Sequence, residues 1–199
     1  NIRNRLSPHF IFYDLNQEAV NRKEEEKQEL VSLVKLMRRN LELAEQLCVT
    51  LAEELDFVKT YIDLERRSLG ATFHPVIEIA GDVLPESVWL PSMMIQIPVE
   101  NSVKHALRGK EGKRNLWIAA DRREGGVCIR ITDNGGGYHP ESRNRGTGTG
   151  MKVIMQTIQI LNMKNQAAID ISVHNVTLPS GETGCEVTFL LPDKYDYRI

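Results

Sequence analysis

Two glycine-rich turns in close succession constrain this chain more than any other feature. Asp133-Asn134-Gly135-Gly136-Gly137 closes an alternating apolar stretch, and Gly146-Thr147-Gly148-Thr149-Gly150-Met151 opens a segment with helical periodicity. Glycine lets a backbone turn at positive φ and pass close to a ligand. The free N–H groups of a helix that starts just after the second turn can receive a phosphate. The pattern therefore predicts a strand, a turn, a polar loop, a second turn and a helix, arranged around a nucleotide. Asp133 is an acceptor suited to an adenine amino group, and Gly135, Gly137, Gly146, Gly148 and Gly150 are the candidate backbone contacts. One such turn alone would be explained equally well by turn or bulge geometry.

A third motif lies upstream, in Glu100-Asn101-Ser102-Val103-Lys104-His105. On a helix, Asn101, Lys104 and His105 stand at i, i+3 and i+4, so an amide oxygen, an ammonium and an imidazole share one face. Such a face suits a triphosphate with its metal. Mg²⁺ takes one or two protein oxygens besides water and phosphate oxygens, and the Asn101 amide supplies one without adding charge. Lys104 can meet phosphate as a point charge. Taken alone, the same residues read as the solvated side of an amphipathic helix whose Val99, Val103 and Leu107 point inward.

The three motifs together resemble the N, G1 and G2 boxes of the GHKL ATP-binding fold, in the order and spacing of that superfamily. The resemblance implies ATP and Mg²⁺, bound through Asn101, Lys104, His105, Asp133, Gly135, Gly137, Gly146, Gly148, Gly150 and Cys185, with Asn101 as the metal ligand. Two positions narrow the chemistry. Ile97 stands where the ATP hydrolases of the superfamily carry a glutamate that activates water, and isoleucine cannot act as a base. Leu6-Ser7-Pro8-His9-Phe10-Ile11-Phe12-Tyr13-Asp14-Leu15-Asn16 resembles the phosphoacceptor segment of the LytS-type sensor histidine kinases. A neutral imidazole is a competent nucleophile near pH 7, and its phosphoramidate can pass the phosphoryl group to an aspartate. Without the downstream motifs His9 would read as a helix-terminal or partner-packed histidine.

The resemblance covers nearly the whole chain and implies autophosphorylation of His9, with Asn101 and Lys104 aligning the phosphates. It further implies a homodimer formed through a helical bundle, a response-regulator receiver domain as partner, and a sensory or membrane part upstream that would leave this region cytoplasmic. Several residues depart from the family pattern. Tyr13 replaces an asparagine linked to dephosphorylation of the partner, so little reverse dephosphorylation is expected. Thr149 replaces an aliphatic residue, Pro98 lies one residue later than usual, and Cys185 replaces a threonine that helps bind adenine through water. A weaker or altered adenine contact follows. Two other readings stay open: a serine kinase or anti-sigma-type switch, which needs no Pro8-His9-Phe10 segment, and a degenerate nucleotide-binding module.

The fold class expected is α+β. A helical dimerisation and phosphoacceptor region spans 1–69, and an α/β-sandwich ATP-binding domain of the GHKL (Bergerat) type spans 70–199. Leu30, Leu33, Val34, Met37 and Leu41 recur at helical spacing, and the charged run 23–29 reads as a solvated face. Thr50-Leu51-Ala52-Glu53 has capping-box spacing, Leu55, Val58 and Ile62 mark the buried stripe that follows, and Gly70 ends it. Strands are expected around 76–79, 116–120, 127–131, 168–173 and 187–191, with a helix over 151–161. The polar loop 138–145 is the natural lid.

Composition agrees. The chain has 199 residues and a net charge of −2 with the two signs interspersed, which excludes nucleic acid as a partner on electrostatic grounds. Three widely spaced cysteines, Cys48, Cys128 and Cys185, form no metal-ligand pattern and read as reduced thiols. No stretch approaches membrane-spanning length.

Overall fold

The computed structural model describes residues 28, 46–138 and 149–198. The segment around His9 and Tyr13, the apolar repeat at 30–41, the loop 139–145 and the glycines Gly146 and Gly148 lie outside the described residues.

Helix α1 (Leu51–Leu69) begins as its sequence requires. Thr50 is the N-cap, its Oγ1 accepting from the Glu53 N–H at 3.3 Å while the Thr50 N–H donates to Glu53 Oε2 at 2.8 Å. That reciprocal pair satisfies two N–H groups otherwise orphaned at the helix start. At the far end Gly70 takes φ 70°, a conformation costly for other residues, and its N–H closes onto the Arg66 carbonyl. Just before the helix, β1 (Cys48–Thr50) pairs antiparallel with β3 (Trp89–Pro91) in a small separate ribbon. Trp89 sits on that ribbon with 48% of its surface exposed, at an edge rather than in the core.

The main sheet has five strands: β2 (Phe73–Ile79), β4 (Arg114–Arg123), β5 (Gly126–Asp133), β6 (Asp170–Thr177) and β7 (Thr183–Pro192). Their order is β2-β4-β5-β7-β6, with β2 parallel to β4 and every other pair antiparallel. The last two strands run further than their apolar residues predict. The β6–β7 ladder extends from Asp170↔Leu190 to Thr177↔Thr183 through polar residues, because backbone pairing rather than apolar alternation sets the length of this hairpin. Along β4, Leu116, Ile118 and Ala120 are buried and the residues between them are half-buried, the alternation of a strand covered on one face.

Three helical elements cover that face: α1, α2 (Gln96–Asn101) continued by a π-helical turn (Ser102–Leu107), and α3 (Thr149–Asn162). Their buried residues form one cluster with the sheet. Leu55, Val58 and Ile62 come from α1, Val99, Val103 and Leu107 from the second element, and Ile154 and Ile158 from α3. The result is the mixed-sheet α/β sandwich expected. Met94 is fully buried as core filler, whereas Met93 is half-exposed in a left-handed turn with φ 68°.

Candidate functional site

The β4–β5 hairpin turns at Gly125 and delivers Asp133 to the end of a central strand, opposite Cys185 on β7. There the carboxylate is 3% exposed. Its Oδ2 accepts from the Ser102 hydroxyl at 2.8 Å, and its Oδ1 accepts from the Gly135 N–H at 2.9 Å. Burial pushes the Asp133 pKa above the ordinary carboxylate value, while the Gly135 N–H, the Ser102 hydroxyl and the Cys185 N–H oppose that shift by bonding to the charged form. A buried acceptor held by fixed donors is therefore aimed from the sheet toward the helix layer.

The glycines after it are required by close approach. A Cβ on Gly135 would stand 2.3 Å from Ala106 Cβ and 2.8 Å from Ala106 backbone atoms, so this turn passes directly over the helical element that carries Asn101. Gly136 and Gly137 take φ 93° and 87°. Gly150 at the start of α3 rests on Ile97, whose Cγ2 would be 2.9 Å from an added Cβ. Ile97 thus packs helix against helix. Gly146 and Gly148 lie outside the described residues.

Asn101 ends α2, half-buried, and the next residue, Ser102, ties this helical element to the Asp133 carboxylate. From Ser102 onward the helix widens, with the Arg108 N–H donating to the Val103 carbonyl in an i→i+5 bond. Such π turns recur at functional sites. Widening alters the common face expected for Asn101, Lys104 and His105. Lys104 is exposed and its Nζ donates to Glu100 Oε2 at 2.7 Å rather than standing free. His105 is exposed as well, and lines a cleft of about 440 Å³ together with Ala106, Lys110, Gly135, Gly136 and Glu182. Burial, and after it the charges of Asp133 and Glu186, pushes the Cys185 thiol up to about 11, so it is neutral at pH 7.

Residues that the sequence did not single out hold this arrangement. Asn134 is buried. Its Oδ1 accepts from the Asn115 N–H at 2.8 Å, and its Nδ2 donates to the Lys113 carbonyl at 3.0 Å and to Glu182 Oε2 at 3.2 Å. Lys110, then Asn134 and Ser180, hold the Glu182 carboxyl down at about 2. Asn175 of β6 accepts the Tyr138 N–H at 2.5 Å and donates to its carbonyl at 3.2 Å, pinning the first residue of the expected lid. An asparagine beside the first glycine turn was the only local signal for this network.

A buried strand-end aspartate bonded to the helical element behind Asn101, with a glycine turn crossing that helix, is the arrangement of a known ATP-binding fold. Residues 91–195 match the model of the histidine kinase-, DNA gyrase B- and HSP90-like ATPases. The chain belongs to that ATPase family. Residues 1–73 match a second model, that of the histidine kinases. Among curated relatives, the sensor protein LytS of Bacillus subtilis (strain 168) is 29% identical over 94% of this chain and 32% of its own length. LytS of Bacillus anthracis is 28% identical over 96% and 33%, and the sensor histidine kinase YpdA of Escherichia coli (strain K12) is 24% identical over 97% and 34%. The chain thus spans about a third of the length of these relatives. In the fold, the histidine kinase domain of the Erythrobacter litoralis EL346 blue-light-activated histidine kinase superposes with a TM-score of 0.52 at 13% identity, covering 82% of this chain and 74% of that one. Family membership implies that this domain of the ATPase family binds ATP.

Proposed function

We propose that this chain is the kinase region of a two-component sensor, which transfers the γ-phosphoryl group of ATP to His9 and from there to an aspartate on a response-regulator receiver domain. The observation that carries the reading is the buried Asp133 carboxylate, bonded to Ser102 beside Asn101, in a chain whose first 73 residues match the histidine kinase model. His9 itself lies outside the described residues.

The donor set fits the nucleotide. Asp133 accepts from the adenine amino group, Cys185 and Ser102 border the same carboxylate, and the Gly135 turn brings backbone close to the ligand. It fits magnesium in one way. Among the described residues no group of three His, Cys, Asp or Glu could hold a metal by itself, so Asn101 would be a single amide ligand and the phosphates would supply the rest. When bound, the ion neutralises charge on the phosphates. Lys104 exchanges its pairing with Glu100 for phosphate oxygens, and the glycines of the second turn with the start of α3 hold the phosphates by backbone N–H groups. A ring nitrogen of His9 attacks the γ-phosphorus, the bond to the β–γ bridging oxygen breaks, ADP leaves and the imidazole releases its proton. The protein contributes positioning and charge stabilisation.

The apolar residues Leu30, Leu33, Val34, Met37 and Leu41 recur at helical spacing, and a helix with one apolar face would gain its burial from a second copy, so we assign a homodimer. Among the described residues no helix is long and apolar enough to cross a membrane. We place this region in the cytoplasm, attached to a sensory part.

The test is incubation of the chain with γ-labelled ATP and Mg²⁺, followed by mass spectrometry at neutral to basic pH. An acid-labile, base-stable phosphate is expected on His9 and absent from His9→Gln, which keeps polarity but has no nucleophilic ring nitrogen. Label on a serine, or undiminished in His9→Gln, refutes the histidine kinase reading. Tyr13→Asn is expected to increase dephosphorylation of the receiver partner.

A further inference from the structure

Glu54, on the first turn of α1, is a fully buried carboxylate. Its Oε1 accepts the Met93 N–H at 2.5 Å, and its Oε2 accepts the N–H groups of Ile95 and Gln96, both at 3.1 Å. Those three amides form the turn that starts α2, where unpaired N–H groups and the positive end of the helix favour an anion. Burying a carboxylate costs several kcal/mol unless hydrogen bonds replace its water, and here three fixed donors do so. The bonds cross about 40 residues of sequence, from the first turn of α1 to the first turn of α2.

Further along α1, Glu65 Oε2 accepts from Arg108 Nη2 at 2.6 Å, just past the π-helical turn. Glu54 and Glu65 are eleven residues apart, three helical turns or about 16 Å, on the stripe that also carries the buried Val58 and Tyr61. Helix α1 therefore grips the Asn101-bearing element at both ends. Asn101 sits between the grips, five residues beyond Gln96 and seven before Arg108. Between them lies the buried Tyr61 hydroxyl, beside Glu65. A close-packed contact of this kind transmits a displacement instead of absorbing it.

We propose that Glu54 is a positioning residue for Asn101, and that with the Glu65–Arg108 pair it holds the Asn101-bearing element in the geometry that binds magnesium-bound nucleotide. The inference rests on the nucleotide-site reading above. Ligands that orient a metal-binding group matter nearly as much as the group itself, and their loss costs roughly 10–100-fold in metal affinity. In Glu54→Gln the amide NH₂ faces backbone donors, so at least one N–H loses its acceptor and the start of α2 shifts.

The test measures binding of ADP and of the β,γ-imido analogue of ATP to the full 199-residue chain by calorimetry, with EDTA and with Mg²⁺. Glu54→Gln is expected to keep metal-free ADP affinity and to lose about tenfold of the tightening that Mg²⁺ gives the ATP analogue. Glu65→Gln and Arg108→Gln, at a partly exposed ion pair and hence still folded, are expected to lose a smaller part of it. In an Asn101→Ala background, Glu54→Gln should change nothing further, since additivity fails when one residue acts through another. Equal weakening of ADP and magnesium-ATP binding, or parent-like tightening in Glu54→Gln, overturns the proposal. So does a full Glu54→Gln effect without Asn101. If circular dichroism shows Glu54→Gln unfolded, unchanged tightening in both Glu65→Gln and Arg108→Gln overturns it. A parent that binds neither nucleotide overturns the nucleotide site itself, a result distinct from all of these.

Discussion

Replacing Asp133 by asparagine should separate the stability of this domain from its ligand binding. The carboxylate is almost fully buried and its pKa is raised above the ordinary value, which means that its surroundings disfavour the charge despite the donors from Gly135, Ser102 and Cys185. In linkage terms the native state binds more protons than the unfolded chain between the unfolded pKa of about 3.8 and the raised native pKa, so this group lowers stability as pH rises through that window. Asparagine removes the titration. At pH 7 the ligand-free Asp133→Asn chain should be at least as stable as the parent, and its advantage should shrink as pH falls toward 4. Nucleotide binding should move the other way. A hydrogen bond to a charged acceptor contributes about 1.5–3 kcal/mol, so affinity for ATP should fall about 10–150-fold. At a hundredfold excess over Kd the parent gains about 2.7 kcal/mol of apparent stability, and a variant weakened about thirtyfold retains about 0.9 kcal/mol under the same conditions. For a domain of this size that is a thermal shift cut from about 5–11 °C to about 2–4 °C. Differential scanning fluorimetry with and without magnesium-ATP, across pH 4 to 8, reads both effects. A parent-like shift in Asp133→Asn, or a ligand-free variant several degrees less stable than the parent at pH 7, would refute the reasoning.

Gly135→Ala drives a methyl group to within 2.3 Å of Ala106 and should cost about 1–3 kcal/mol in urea denaturation, together with loss of ATP binding; a neutral result would mean the turn is free to move. Thr50→Ala removes the capping box of α1 and should lower stability by about 1 kcal/mol in the same assay. Alkylation of Cys185 by iodoacetamide, followed by peptide mass spectrometry, should still be accelerating between pH 8 and 10, since its thiol is pushed up to about 11, and ATP should protect it. A rate that levels off near pH 8.5 would show an ordinary, solvated thiol.

Local patterns were enough to place several of the elements around the candidate site. The capping box at Thr50 and Glu53, the stop at Gly70 and the hairpin that brings Asp133 to a strand end all follow from residues within a few positions of one another. So does the inward stripe of Val99, Val103 and Leu107, because helix and strand periods are written into consecutive residues. The glycines of the first turn were recognisable for the same reason. Their need to be glycine was visible only once Ala106 was found against Gly135.

What tertiary structure alone decided is which distant groups meet. Ser102 could not be read as the partner of Asp133, 31 residues away, nor Asn134 as the tie to Glu182 at a separation of 48, nor Glu54 as the anion that starts α2. A serine, an asparagine and a glutamate on a helix carry the same sequence signal whether they face water or a buried amide. The π-helical widening after Asn101, which changes the face shared with Lys104 and His105, is equally absent from the sequence pattern. These features depend on how three helices settle on one sheet, and the pairing of a buried polar group is settled by the fold that desolvates it, not by its neighbours in the chain.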